Sequence, residues 1–318
     1  MKNAVKTLWL IIAGLFVLGL LLVMIGVGFG ATRHLRTSAR GIELVPQKTT
    51  YYQKNEPNAQ AFSKVEITLP ATWVSVTFEQ SDHYGYAINI PVSESYRIRD
   101  AVEGGALKLG LEGTSKNGGD LNFNWPDLNF ALSGWTKGEK GRIVVYTPRE
   151  ARLDTIKLDF AAGSYEVGPL DAREVQVSCP AGEVTIGKIT ADNVNLALTA
   201  GSMHVTGIDA DTVNASLTAG ELYTLETSAN VVSLSSTTGE IRFSGDAKKR
   251  LGVTTTTGEA TVELARPRDD YAVTADTAMG DIEIDGVSAR RLHESDPGRT
   301  QVNASATVGH IGLKFSKG

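Results

Sequence analysis

The 318 residues are 42% hydrophobic and include 36 acidic and 31 basic side chains, for a formal net charge of −5. This composition can bury a core, and it argues against a wholly disordered chain and against a polybasic nucleic-acid-binding surface. Cys179 is the only cysteine, so a disulfide within the chain is excluded, and its expected role is that of a small buried hydrophobe.

The first element in the chain is an apolar segment from Leu8 to Gly30 that contains no charged residue. It is long enough to cross a bilayer as a helix, and it is longer than the apolar region of a cleavable signal peptide. The sequence therefore predicts an uncleaved transmembrane anchor within residues 1–32, with membrane lipid as its partner.

The orientation of this anchor is predicted from the charges beside it and from the size of the domain on its carboxy-terminal side. Lys2 and Lys6 precede the segment, whereas Arg33, Arg36 and Arg40 come after it, so the positive-inside count is nearly balanced. A large domain behind an anchor is translocated largely regardless of its charges. We therefore expect a single-pass protein of the cell membrane with an extracytoplasmic C-terminal domain. The alternative is a cytoplasmic body with an external amino terminus.

Residues 33–60 are polar with little periodicity, which is typical of a linker. From residue 61 to residue 148 the chain alternates apolar and polar residues, as in "KVEITLP", "WVSVTFE", "YAINIP" and "GRIVVYTP". This period of two indicates strands with one buried face. The sequence predicts an all-β lead-in or cap region there.

A repeat dominates residues 149–318. Six glycines recur every 19 residues and two more come at spacings of 22 and 29: Gly163, Gly182, Gly201, Gly220, Gly239, Gly258, Gly280 and Gly309. Apolar residues stand seven and five positions before each glycine and two and, in most repeats, four positions after it. Two short strands joined at a glycine corner explain this pattern, because alternate side chains of a strand point to one side. Stacking buries a face that no single repeat could bury alone.

The predicted fold is therefore all-β: a β-solenoid of about eight coils with an irregular all-β cap at its amino-terminal end. Leu170, Ile189 and Ile208 stand seven positions after their glycines and indicate a third side in the early coils. A charged segment, residues 288–300, interrupts the repeat before the coil that is last in sequence.

One column of residues places acidic side chains next to the corner glycines. Glu221, Glu240, Glu259 and Asp281 each come directly after a corner glycine, so stacking places them in a ladder of like charges. Such a ladder is a weak candidate for a divalent cation site, because carboxylate oxygens are suitable ligands. The alternative is a hydrated, soluble corner screened by salt.

A second candidate lies in the stretch "NGGDLNFNWPDLNFALSGW", residues 117–135. Aromatic faces that stack on a ligand and amides that hydrogen-bond to it occur together in binding sites. The alternative is an extended loop or hairpin whose aromatic residues cover the first coil. The candidate ligand-binding residues are Asn122, Asn124, Trp125, Asp127 and Trp135.

Together these features resemble a known family. The anchor, the "VEITLPATWVSVTF" and "GALKLGLEG" patterns, the "GRIVVYTPREARLDTIKL" join and the "TAGE" coils resemble the "putative adhesin" family of bacterial β-solenoid envelope proteins. That family includes Lia-type membrane-anchored proteins associated with envelope stress. The resemblance covers roughly residues 60–318, implies a solenoid at the cell envelope, and brings neither catalytic residues nor a cofactor.

The sequence does not indicate an enzyme, since its five histidines lack metal-binding spacing and no nucleophile, phosphate-binding or dinucleotide motif is present. We expect a protein that binds or scaffolds at the bacterial envelope. In one interpretation it is an accessory of an envelope-stress response whose partner is another membrane protein. In the alternative it is an adhesin-like surface protein that binds cell-wall glycan or another surface.

Overall fold

The computed structural model describes residues 34–38, 41–45, 50–69, 72–92, 96–113, 140–289 and 291–316. The predicted anchor and the aromatic stretch at 117–135 lie outside these ranges. Within them, no helix has the length and apolar character needed to cross a bilayer.

The described residues form sixteen strands and one short 3-10 helix, Arg268–Asp270. The all-β prediction is confirmed, and the fold is β-solenoid-like. The strands are β1 (His34–Ser38), β2 (Gly41–Val45), β3 (Thr50–Glu56), β4 (Lys64–Leu69), β5 (Thr72–Ser81), β6 (Gly85–Val92), β7 (Tyr96–Glu103), β8 (Ala106–Gly113), β9 (Gly141–Pro148), β10 (Leu153–Phe160), β11 (Ala162–Val167), β12 (Leu170–Leu264), β13 (Tyr271–Ile284), β14 (Val287–Ala289), β15 (Arg291–His293) and β16 (Thr300–Phe315).

The corner glycines stack on one another through the solenoid, and we name each coil by its corner glycine. All eight have positive φ, between 115° and 147°, a region that side chains with a Cβ rarely adopt. A Cβ built on Gly201 would lie 2.0 Å from the carbonyl oxygen of Gly182, and one built on Gly220 would lie 1.9 Å from that of Gly201. The repeat therefore needs glycine both for its backbone angle and for its close contact with the next coil.

The apolar columns predicted around each glycine form one continuous core. Every residue seven and five positions before a corner glycine is buried, as is every residue two positions after it. Leu170, Ile189 and Ile208, on the predicted third side, are also buried. Neighbouring coils thus share the apolar surface that none of them could bury alone.

The parallel ladder of the solenoid extends towards the amino terminus beyond the 19-residue repeat. Strands β4 and β5 pair in parallel with β10 and β11, so that Thr72 stands opposite the corner residue Gly163. Strands β8 and β9 add a further layer in parallel on β4 and β5. The parallel ladder of backbone hydrogen bonds therefore runs without a break from the repeat into the predicted cap region, residues 61–148.

Antiparallel strands cover this amino-terminal layer. Strand β6 pairs with β9, β3 pairs with β6, and β7 pairs with β8. The carboxylate of Asp100 on β7 accepts a hydrogen bond from the hydroxyl of Tyr52 at 2.8 Å and lies 2.7 Å from the ammonium of Lys54, both on β3. These strands protect the open edge that a stack of coils would otherwise present. Strands β1 and β2 pair with each other in the segment interpreted as a linker.

At the other end, the order of the coils in space differs from their order in sequence. Strand β16 pairs in parallel with the last coil of β12 on one side and with β13 on the other. The Gly309 coil therefore lies between the Gly258 and Gly280 coils, although it comes last in the chain. The segment predicted as a charged loop supplies β15, which pairs antiparallel with β13, as does β14. These short strands cover part of the outer edge of the terminal coil.

The corner geometry predicts that replacing Gly220 with Ala destabilises the protein by at least about 3 kcal/mol, since the new Cβ meets the Gly201 carbonyl and the backbone angle is strained. Gly252→Ala is the matched control, because Gly252 lies on a strand and its nearest neighbour to a built Cβ, the Val232 oxygen, is 3.9 Å away. Denaturant unfolding of both variants measures the difference. Equal stability would contradict this account of the corner.

Candidate functional site

The outward side of the first strand in each coil forms a continuous surface without charged side chains, which we call the neutral face. Its residues stand six, four and two positions before the corner glycines, and so point away from the core. From the Gly182 coil to the Gly309 coil it consists of three columns: Gln176, Asn195, Asn214, Ser233, Gly252 and Asn303; Ser178, Ala197, Ser216, Ser235, Thr254 and Ser305; and Pro180, Thr199, Thr218, Thr237, Thr256 and Thr307.

Hydrogen bonds along the solenoid axis order several of these side chains. The amide of Asn214 donates to the amide oxygen of Asn195 at 3.2 Å, across two neighbouring coils. The hydroxyl of Ser305 donates to that of Thr254 at 3.3 Å. Each of these groups keeps further donors or acceptors, since an amide has two donors and an acceptor with two lone pairs.

Two shallow depressions mark the neutral face, and both include Ser233 among their lining residues. The first, of about 430 Å³, lies over Asn195, Asn214 and Ser216. The second, of about 410 Å³, lies over Gly252 and neighbouring residues. Because they share Ser233 and lie on successive coils, we treat the two depressions together as one groove along the solenoid axis.

Charged pairs stand at the two ends of the neutral face. At one end Lys157 and Asp159 form an ion pair at 3.1 Å. At the other, the guanidinium of Arg291 donates two hydrogen bonds of 2.9 Å to the carboxylate of Asp276 and lowers the pKa of that carboxyl group. Both pairs are exposed, so they contribute little to the stability of the fold. They mark the two ends of the uncharged surface.

The second strand of each coil carries the acidic column, and the structure corrects its predicted order. Because the Gly309 coil is inserted, His310 stands between Glu259 and Asp281, so these two carboxylates are not neighbours. The carboxylate of Glu240 pairs with the guanidinium of Arg242. Among the described residues, no group of three or more acidic, histidine or cysteine side chains is arranged to hold a metal ion.

The same side of the solenoid carries a stack of rings and a guanidinium. The rings of His204 and Tyr223, on successive coils, lie 5.4 Å apart and nearly parallel. The guanidinium of Arg242 lies 5.2 Å from the Tyr223 ring and donates a hydrogen bond of 2.9 Å to its hydroxyl. Tyr223 therefore contacts His204 on one neighbouring coil and Arg242 on the other, and the stack stabilises the coils against one another.

A third cluster joins the last coils. The guanidinium of Arg266 donates to Asp246 at 2.9 Å and to the hydroxyl of Thr300 at 2.7 Å. The Tyr271 hydroxyl donates to Asp246 at 3.1 Å, and burial raises the pKa of Tyr271 to about 12. This network joins the Gly239 coil to the strands that come after β12, a structural role rather than a catalytic one.

The sequence-predicted site residues fall in different places. Asn122, Asn124, Trp125, Asp127 and Trp135 lie outside the described residues. Cys179 is buried, as predicted, and burial raises the pKa of its thiol to about 11, which keeps it protonated.

The sequence-based prediction of site residues did not include the neutral face. The sequence does contain a pattern that could have indicated it, since threonine stands two positions before five of the corner glycines. A column of outward polar residues is, however, also typical of ordinary solvent-exposed surface.

Comparisons with known proteins place the fold. The profile of the family described as "Toastrack DUF4097" matches residues 63–314, most of the chain. No curated protein matches the sequence.

Two solved structures are similar to this chain over most of its length. A Bacteroides fragilis protein named as a putative adhesin is 14% identical with a TM-score of 0.44, over 85% of this chain and 97% of that one. A Parabacteroides distasonis protein named as a putative lipid binding protein is 13% identical with a TM-score of 0.44, over 86% and 99%. Likenesses this distant assign no ligand to this chain. The family match is extensive, and the chain belongs to the Toastrack DUF4097 family.

Proposed function

We propose that this protein is an adhesin-like surface protein that binds an extended, uncharged glycan along the neutral face. The observation that carries the proposal is the groove over that face, which is lined by amides and hydroxyls from successive coils. Neighbouring coils repeat about every 4.8 Å, so the six layers from Gln176 to Asn303 extend over roughly 24 Å. A linear polymer that lies along the axis can therefore contact every layer.

The chemistry of the face favours sugar over charged ligands. The amides of Asn195 and Asn214 both donate and accept, and Ser216 adds a hydroxyl, which matches the mixed donors and acceptors of sugar hydroxyl and acetamido groups. Between the end pairs, Arg250 is the single charged side chain among the described residues that line the groove, so most of its length offers an anionic polymer no cation. A charged group held against this surface would lose hydration without a compensating partner.

The shape of the face indicates many weak contacts rather than one strong site. The groove is shallow, and its lining contains no aromatic ring on which a sugar could stack. Hydrogen bonds exchanged with water each contribute little net free energy. Affinity should therefore grow with the number of sugars in contact, as expected of a surface that holds a polymer.

Membrane attachment forms the second part of the proposal. The uncharged segment from Leu8 to Gly30 would anchor the chain in the cell membrane. The anchor would hold the solenoid on the extracytoplasmic side, within reach of cell-wall glycan. The same tether suits an accessory role in an envelope-stress response, with another membrane protein as partner. That role stays a prediction from the family resemblance and the anchor.

A binding role also agrees with the distribution of reactive side chains. The carboxylates of Glu240 and Glu263 are engaged by Arg242 and Lys314. The thiol of Cys179 is buried and protonated. We therefore propose that the protein acts without catalysing a reaction.

The glycan hypothesis predicts that full-length protein in nanodiscs binds chitin oligosaccharides, with an affinity that rises with oligosaccharide length until the groove is filled. Ser216→Glu should weaken binding about tenfold or more, because a carboxylate in the groove cannot keep its hydration when sugar covers it. Isothermal titration calorimetry with short and long oligosaccharides measures both effects.

The matched control is Thr206→Glu, which adds the same charge at an exposed position on the second strand of the Gly201 coil. It should bind as the unmodified protein does. Equal weakening by both substitutions, affinity independent of length, or preference for an anionic polymer such as alginate would contradict the proposal.

The anchor hypothesis predicts that the full chain sediments with membranes and is released by detergent but not by high salt. In intact cells without an outer membrane or cell wall, added protease should digest the solenoid. A chain without residues 1–32 should not sediment with membranes. Protection of the solenoid in intact cells, with digestion only after lysis, would instead support the cytoplasmic alternative.

A further inference from the structure

One inward column changes its chemistry halfway along the solenoid. Its residues stand three positions before each corner glycine. In spatial order they are Phe160, Cys179, Leu198, Leu217, Ser236, Thr255, Ala306 and Thr277. The first four are apolar and buried, whereas hydroxyls and one alanine take the same inward positions in the last four coils.

The hydroxyls in this column have no partner among the described residues. Ser236 is 5% exposed and Thr255 is 1% exposed, and neither hydroxyl oxygen makes a hydrogen bond within the described residues. The hydroxyl oxygen of Thr277, in the terminal coil, is likewise buried and unpartnered. A buried hydroxyl without a partner is costly, and such groups in native proteins usually bond to ordered water.

We infer that a file of ordered water molecules occupies the interior of the solenoid along this column, from Ser236 to Thr277. Hydroxyls on neighbouring coils are about 4.8 Å apart. A single water can therefore lie at hydrogen-bond distance from both Ser236 and Thr255. Backbone carbonyls of the coils can supply the further partners that an internal water needs.

The space for the file comes from the residues that replace leucine. Serine, threonine and alanine are all smaller than the Leu198 and Leu217 side chains that fill the column in earlier coils. Ala306, between Thr255 and Thr277, has the smallest side chain of these four residues and extends the column towards the carboxy-terminal end of the solenoid. Because the coils keep their spacing through the stacked glycines, the core cannot fully collapse onto these smaller side chains.

A crystal structure of the full chain in detergent, at a resolution that shows ordered water elsewhere in the protein, tests the inference directly. We expect a water within hydrogen-bond distance of both the Ser236 and Thr255 hydroxyls, and at least one more near Ala306. An empty column, or hydroxyls that donate only to protein carbonyls, would overturn the inference.

The sign of a stability change gives a second test. Thr255→Val keeps the shape but removes the hydroxyl, so a bound water loses a partner and the Tm should fall by about 2–4 °C. Thr256→Val, at the exposed neighbouring position, controls for the change of residue type and should leave the Tm nearly unchanged. A rise in the Tm of Thr255→Val would show that the Thr255 hydroxyl makes no hydrogen bond to water, and would overturn the inference. A fall without a water in the crystal structure would equally overturn the inference.

Discussion

The close stacking of corner glycines sets the geometry on which the other features depend. Every corner glycine from Gly182 onwards lies against the carbonyl of the corner glycine in a neighbouring coil, with no room for a Cβ between them. This contact aligns the two strands of every coil with those of its neighbours, so that inward residues form apolar columns and outward residues form polar ones. The core and the neutral face are consequences of the same register, on opposite sides of one strand.

The register also explains why the two outward surfaces differ. The first strand of each coil presents amides and hydroxyls, which can lie close together in a ladder without repulsion. The second strand presents several acids, and the structure separates or pairs some of them: His310 stands between Glu259 and Asp281, and Arg242 pairs with Glu240. A column of identical charges would be destabilising at this spacing. The neutral face is the surface that the fold leaves regular and uncharged, which makes it the better candidate for binding a polymer.

Different strand arrangements cover the two ends of the solenoid. At the amino-terminal end, antiparallel strands β3, β6 and β7 cover the first parallel layer, and Asp100 ties β7 to β3. At the carboxy-terminal end, β16 is inserted as the penultimate layer and the short strands β14 and β15 cover part of β13. Both arrangements reduce the exposed strand edge through which repeat proteins aggregate.

The sequence by itself determined the repeat, the corner glycines, the buried columns and the all-β class, because these depend on spacing within one coil and on the conformational freedom of glycine. Only the tertiary structure decided which coils are neighbours: the insertion of Gly309 between Gly258 and Gly280 is a long-range pairing that no local pattern encodes. It also decided the extent of the ladder, since Thr72 occupies a corner position without being glycine. The neutral face and the unpartnered hydroxyls of Ser236 and Thr255 also depended on stacking, because only the neighbouring coils show whether polar residues join into one surface or lack a partner.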